Sequence, residues 1–414
     1  MKKLMMMAVM FVASATAFAG DSDALKAILK AKTYAEAEQL VKSTLDQLAS
    51  PAEKAKAYNK LVELAYEPYN VQNTIVTENQ YNKQVGKEEK PVDVKAMIEN
   101  GMLALNNALE CDKYDVMPNE KNKIKPAFQK KNQDIVQQIR RTLIIEGYNF
   151  ANDSEKNQET FDCLDTYLSS AETPLMKDLD AVKNDPDKGG AAFYAGRAAL
   201  NLEKNARAAE LFKIGAQDTA KQVRDLCFDL LIYSMGLNLK NAEDSVKYEN
   251  ELNNLYVEYP ENEQIFSSLA NLYTARDDFD KIIKFADDHL AKYPSSAFAH
   301  VYKANTYQLQ KKYDEAIAEW SLVPESTPNY VNFIYNRAVS KLFKANAYND
   351  ANADTMGRLT PDKEAKYKEM LNDALVDFEK TKELDPDQLK VKWGYLLKNV
   401  YTATGQQEKA DAIF

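Results

Sequence analysis

Two histidines, three cysteines and a few adjacent acids are the residues in this 414-residue sequence whose types could do chemistry. A zinc site needs three or four converging ligands. His289 and His300 have no Cys-x-x-Cys or His-x-x-x-His spacing around them. Both fall on the apolar side of a helical pattern and read as packing residues, which leaves little for a histidine-activated nucleophile. Asp277-Asp278 and Asp287-Asp288 are the obvious pairs for general acid–base work, but neighbours on a helix point in different directions and do not converge. They read as solvated turn and surface charges. A glycosidase needs two carboxylates facing across a cleft, and nothing among the 63 acids singles out such a pair. Gly189-Gly190 has neither the Gly-x-x-x-x-Gly-Lys-Ser/Thr nor the Gly-x-Gly-x-x-Gly spacing of a phosphate cradle. These patterns imply a chain with no catalytic residues, no metal ligands and no cofactor.

Cys111, Cys163 and Cys227 sit beside apolar residues in helical stretches, as in Leu226-Cys227-Phe228, and read as small buried hydrophobes. An exported protein usually pairs its thiols, and an odd count leaves at least one free. Spacing alone leaves a Cys111–Cys163 bridge open.

The elements that must position any site are helical and they recur. Pro260, Pro294 and Pro328 stand 34 residues apart, twice over. In 263–296, Phe266, Leu269, Ala270 and Tyr273 form one apolar helical face. A turn at Arg276-Asp277-Asp278 follows, then Ile282, Ala286 and His289 on a second helix that Tyr293-Pro294 ends. In 297–330 the same pattern gives Ala304 and Tyr307, then Tyr313, Ala316 and Trp320. Alanines at these places let paired helices approach closely. A two-helix unit with this period is the signature of a solenoid.

On these residues the chain resembles the tetratricopeptide repeat (TPR) family. The match rests on Ala270, Tyr273 and Pro294, on Ala304, Tyr307, Tyr313, Ala316 and Pro328, on Gly236, Leu239 and Pro260 in 229–262, and on Gly196, Ala208, Phe212 and Gly215 in 189–224. It is good over 189–330 and loose elsewhere. The expected fold is all-α: a TPR-type α-solenoid of stacked helical hairpins in which two repeats carry long insertions.

Residues 1–19 read as a secretory signal peptide, with Lys2 and Lys3, an apolar run from Leu4 to Ala13, and Ala17-Phe18-Ala19 as a cleavage site. Cleavage after Ala19 would place a soluble product in the periplasm or outside the cell. Loss of the two lysines takes the net charge from −10 to −12, which disfavours nucleic acid and anionic membrane surfaces as partners. No later apolar run is long enough to span a membrane. Irregular helical repeats are expected over 20–188 and regular ones over 189–414. In the first part, 22–50 reads as a hairpin, a helix starts at Pro51 and runs to about Tyr66, and 67–92, with Pro68, Gly86 and Pro91, reads as an insertion before helix returns at 93–111. Helices are expected over 126–151 and, capped by Ser154, over 154–171, with a short one from Pro174 to about Val182. In the second part, an elongated hairpin is expected at 341–373, its second helix starting at Thr360-Pro361, and the chain ends on a half repeat.

The resemblance implies an inner, concave face built from the second, fifth and ninth positions of each repeat. The candidate partner-binding residues are then Phe193 and Arg197; Tyr233, with Leu230 and Leu237; Gln264 and Asn271, with Ser267; Phe298 and Asn305, with Val301; and Asn332 and Tyr335, with Val339. Amides there could hold an extended peptide through paired donor and acceptor bonds, and exposed aromatics suit peptide capture. The fifth positions carry no lysine, so the family's clamp for a C-terminal carboxylate is not expected. The expected function is a non-catalytic protein–protein interaction scaffold of the bacterial cell envelope, binding a peptide or protein segment. An exported solute- or glycan-binding repeat protein is the alternative, which would need Tyr233, Phe298 and Tyr335 as an exposed, coplanar platform.

Overall fold

The computed structural model describes residues 21–119 and 121–413, so the expected leader at 1–19 lies outside the described residues. Every regular element among the described residues is a helix, and the fold is a TPR-type α-solenoid of helical hairpins. The chain divides into two compact units at Asn238/Leu239. That division falls inside the expected repeat 229–262, and the boundary expected at 188/189 lies within the first unit.

The first unit opens with α1 (Asp23–Lys30) and α2 (Tyr34–Thr44), whose first turns are capped by Ser22, accepting from the Leu25 N–H, and by Thr33, accepting from the Glu36 N–H. Helix α3 (Pro51–Gln84) follows and packs along α4 (Val94–Asp115). Here one expectation is corrected. The helix does not stop near Tyr66 but runs through Pro68 to Gln84. Proline inside a helix removes a backbone bond and costs about 3 kcal/mol locally. The neighbouring Tyr69 is fully buried and its hydroxyl sits 2.8 Å from the Thr142 hydroxyl on a later helix; continuing the helix is what keeps this ring inside. The loop after α3 is not a free insertion either. The Asn79 amide donates to the Lys90 carbonyl and accepts from the Lys90 N–H, both at 2.7 Å, so the loop is tied back along its helix.

Helices α5 (Gln129–Ala151) and α6 (Asn157–Ala171) pair next. Asp115 starts α5 from a distance, its carboxylate accepting from the N–H groups of Ala127, Phe128 and Gln129 at 2.8, 2.8 and 2.9 Å. Ser154 does not cap α6. Lys156 holds the N-cap position without a side-chain bond, and the Ser154 carbonyl instead accepts from the Asn157 amide at 2.7 Å. The short helix expected from Pro174 is a run of turns followed by the four-residue α7 (Asp180–Lys183). Then come α8 (Lys188–Asn201), α9 (Asn205–Gly215) and α10 (Lys221–Leu237). Gly196 makes room for Phe212, since a Cβ at position 196 would lie 2.6 Å from the Phe212 ring.

The second unit contains α11 (Ala242–Glu258), α12 (Glu263–Thr274), α13 (Phe279–Leu290), α14 (Ala297–Leu309), α15 (Tyr313–Ser321), α16 (Tyr330–Asn352), α17 (Pro361–Leu384), α18 (Gly394–Ala403) and α19 (Gln407–Asp411). Each of these helices packs on the next in sequence. The 34-residue period is visible in the backbone. Asp277 and Lys311 take the left-handed conformation, with φ of 56° and 59°. Each turn closes with the same bond, Asp278 N–H to Tyr273 O at 3.0 Å and Lys312 N–H to Tyr307 O at 2.9 Å. Ala270, Ala304, Ala316 and Ala338 are fully buried where helices meet. The elongated hairpin is helical nearly throughout: α16 and α17 have 23 and 24 residues, against 13 and 9 for α14 and α15. Thr360 and Pro361 open α17 as expected. Among the described residues no helix is long and apolar enough to cross a membrane.

Candidate binding surface

In the second unit the first helices of three consecutive repeats, α12, α14 and α16, lie side by side. The Tyr302 hydroxyl donates to Asn271 Oδ1 at 3.1 Å and to the Ser267 carbonyl at 3.4 Å, joining α14 to α12. The Ser340 hydroxyl donates to Gln308 Oε1 at 2.6 Å, joining α16 to α14. At about 100° per residue, Gln264, Ser267, Ser268 and Asn271 share one face of α12. Phe298, Val301, Tyr302 and Asn305 share the corresponding face of α14, and Asn332, Tyr335 and Asn336 that of α16. Gln264, Asn271 and Asn305 are exposed and the others are half-buried. Val339, placed on this face by position, is instead buried at 8% exposure, because it turns into the core shared with α17.

None of the named positions of the layer is Asp, Glu, Lys or Arg. The basic residues of α14 and α16 occupy the opposite sides of their helices, where acids from the second helices of the hairpins meet them. Lys303 pairs with Asp287 at 2.8 Å and Glu319 at 2.5 Å. Arg337 grips Asp377 through two bonds, at 2.7 and 2.8 Å. Lys341 reaches Asp373 at 2.9 Å and Asp377 at 3.0 Å, and Lys344 pairs with Asp314. His300 contributes as well, its Nδ1 lying 2.7 Å from Glu319. Burial would push the Glu319 carboxyl up, but hydrogen bonds from His300 and Lys303 outweigh it and hold it below the usual carboxylate range. The Arg337 guanidinium is held more basic still, first by its hydrogen bonds to Asp377. Glu263, in the first turn of α12, borders the layer and acts on the Tyr302 phenol, whose acidity is reduced chiefly by burial.

The expected aromatics are placed unevenly. Phe298 packs against Phe266, with ring centroids 4.9 Å apart, and Tyr335 packs edge-on to Phe378 at 6.1 Å. Both are half-buried between helices. In the first unit, Phe193 on α8 is half-buried, packs edge-on to Tyr194 at 5.1 Å, and carries the exposed Arg197 guanidinium 5.6 Å from its ring centroid. Tyr233 on α10 is 58% exposed. Phe298 and Tyr335 thus pack between helices, and of the three expected aromatics only Tyr233 is exposed. Asn332 carries a buried Oδ1 with no hydrogen-bond partner among the described residues.

Sequence positions alone missed Tyr302, Asn336 and the Gln308–Ser340 bond, although a helical-wheel projection of α14 and α16 would have placed the first two on the layer. A shallow cleft of about 320 Å³ beside Phe298 was also not foreseen; Glu261, His289, Lys292 and Ser296 are among the residues that line it. At its base His289 is 1% exposed, with Nδ1 2.7 Å from the Tyr256 hydroxyl and Nε2 3.1 Å from the Ser296 hydroxyl. Burial, and secondarily Lys292, hold the imidazole below its ordinary pKa. All three cysteines are free and buried, and burial pushes each thiol up to about 12.

No protein-family model and no curated protein sequence matches the chain. Among solved structures it is similar to a human IFIT1 dimer with m7Gppp-AAAA, at 14% identity over 84% of this chain and 72% of that one, with a TM-score of 0.36. It is also similar to Naa15/Naa10 bound to HypK-THB, at 16% identity over 92% of this chain and 59% of that one, with a TM-score of 0.35.

Proposed function

We propose that this TPR-type chain is a non-catalytic interaction scaffold that holds a peptide or protein segment along the first-helix faces of its repeats. The observation that carries the reading is the continuous layer on α12, α14 and α16. Its amides and hydroxyls offer both donors and acceptors, as a peptide backbone does, and the charges of α14 and α16 are consumed behind it. Phe193, Arg197 and Tyr233 are candidates of the first unit, taken by itself. Thiols held protonated by burial, and histidines engaged in packing, support a binding role over a catalytic one. The leader-like residues 1–19 support export to the bacterial envelope, with cleavage after Ala19.

The test is capture of partners from a bacterial envelope extract on the immobilised full chain, in parallel with Asn271→Trp/Asn305→Trp. Both positions are exposed, so bulk there blocks the layer; because Asn271 also accepts from the Tyr302 hydroxyl, the variant is first confirmed as folded by melting. A partner recovered on the parent protein and lost on the variant supports the reading. A partner retained equally by both refutes it.

A further inference from the structure

We infer that the segment held by the second unit is itself nearly uncharged: an extended stretch of protein rich in Ser, Thr, Asn, Gln and Gly and poor in Asp, Glu, Lys and Arg. This rests on the scaffold reading above and narrows it to a partner chemistry.

Three features point this way. First, none of the positions that share the layer is ionisable at neutral pH: Gln264, Ser267, Ser268 and Asn271, then Phe298, Val301, Tyr302 and Asn305, then Asn332, Tyr335 and Asn336. In a chain with 53 basic and 63 acidic residues, such a stripe across three helices carries no charge of its own, and Glu263 stands only at its border, in the first turn of α12. Second, the basic residues of α14 and α16 are already paired. Lys303 and Lys341 are 12% and 14% exposed at the side chain and lie against Glu319, Asp287, Asp373 and Asp377. A ligand carboxylate could recruit them only by breaking those pairs. Third, the layer keeps hydrogen-bonding capacity in hand. The amides of Gln264 and Asn305 are exposed and offer both donors and acceptors to an incoming segment. A charged side chain laid on this surface would lose water and gain no opposite charge, which weakens binding by about tenfold for each such residue at the centre of the contact. An uncharged amide or hydroxyl loses little, because its bonds to water are exchanged for bonds to Gln264, Asn271 and Asn305.

The experiment pans a display library of short random peptides against the full-length protein, then measures synthetic versions of the enriched peptides by fluorescence anisotropy at low and high salt. The expected result is enrichment of sequences depleted in all four charged residues, with a Kd that changes by less than about twofold between the two salt conditions. Asn305→Gln should leave Kd within about threefold, while Asn305→Asp and Asn305→Lys, confirmed as folded by melting, should each weaken it by about tenfold through desolvation of the new charge. Enrichment of acidic or basic peptides, or a Kd that weakens steeply with salt, overturns the inference and leaves the scaffold reading standing. Failure to enrich any peptide, or binding of neutral oligosaccharides on a glycan array in place of peptides, overturns both.

Discussion

Asp377→Asn removes one negative charge from behind the layer while keeping the side chain's shape. Asp377 is 4% exposed, accepts two charge-assisted hydrogen bonds, from Arg337 Nε at 2.8 Å and Arg337 Nη2 at 2.7 Å, and forms an ion pair with Lys341 Nζ at 3.0 Å. Hydrogen bonds to charged groups contribute about 1.5–3 kcal/mol each, which sets an upper bound. The loss is smaller than the sum because Arg337 is 21% exposed at the side chain and can recover water, and because Lys341 keeps Asp373. The asparagine amide, however, would point a donor at a guanidinium that has only donors. Weighing these, we expect a loss of about 3 kcal/mol, in the range found for breaking a buried pair by removing one partner. For a unit of this size that corresponds to a fall in Tm of about 6–12 °C. The chain has two tryptophans, Trp320 and Trp393, and both belong to the second unit, so tryptophan fluorescence reports the melting of that unit selectively. Asp373→Asn is the control. Asp373 is 65% exposed, and an exposed pair contributes no more than about 1 kcal/mol. Equal melting temperatures for the parent, Asp377→Asn and Asp373→Asn would show that the buried pair does not hold α16 to α17.

Stability of the second unit should also depend on pH through His289. Its pKa in the fold lies below the unfolded value, so the fold prefers the neutral ring; that contribution is complete above about pH 6.5 and is lost as the pH falls below it. Tryptophan-detected Tm should therefore drop on acidification from neutral pH, and His289→Gln should flatten the drop; an unchanged slope in the variant contradicts the assignment. With their thiols pushed up to about 12, the three cysteines should resist a thiol reagent at mildly alkaline pH in the native protein and all react in denaturant, and rapid native labelling of any of them would refute their burial. Gly196→Ala should cost about 1–3 kcal/mol in a urea titration, because the added Cβ would meet the fully buried Phe212 ring at 2.6 Å. Gly236→Ala, with nothing within 4 Å of its Cβ, should instead stabilise its helix by up to about 1 kcal/mol, so identical midpoints for the two variants would contradict this packing.

Much of the fold is written locally. The prolines at 260, 294 and 328 all fall in connections between helices, because proline cannot continue a helix and restricts the residue before it; Pro260 closely follows α11, whereas α13 and α15 already end at Leu290 and Ser321. Ala270, Ala304 and Ala316 mark close helix contacts because only small side chains fit there. These are short-range constraints, and they recur because each hairpin meets only its neighbours. Local signals mislead where long-range packing outweighs them. Pro68 reads as a helix stop, yet α3 passes through it, since burying Tyr69 against Thr142, 73 positions away, more than offsets the lost backbone bond. Ser154 reads as a cap, yet α6 starts later, at Asn157. The candidate surface divides in the same way. Helical periodicity alone puts Gln264, Asn271 and Asn305 on one side of their helices. The same periodicity keeps Lys303, Arg337 and Lys341 off that side; only the tertiary structure decides which acids they meet, Arg337 pairing with Asp377, 40 positions away, and Lys303 with Glu319, because an ion pair depends on which side chains the stacked helices bring within reach of each other.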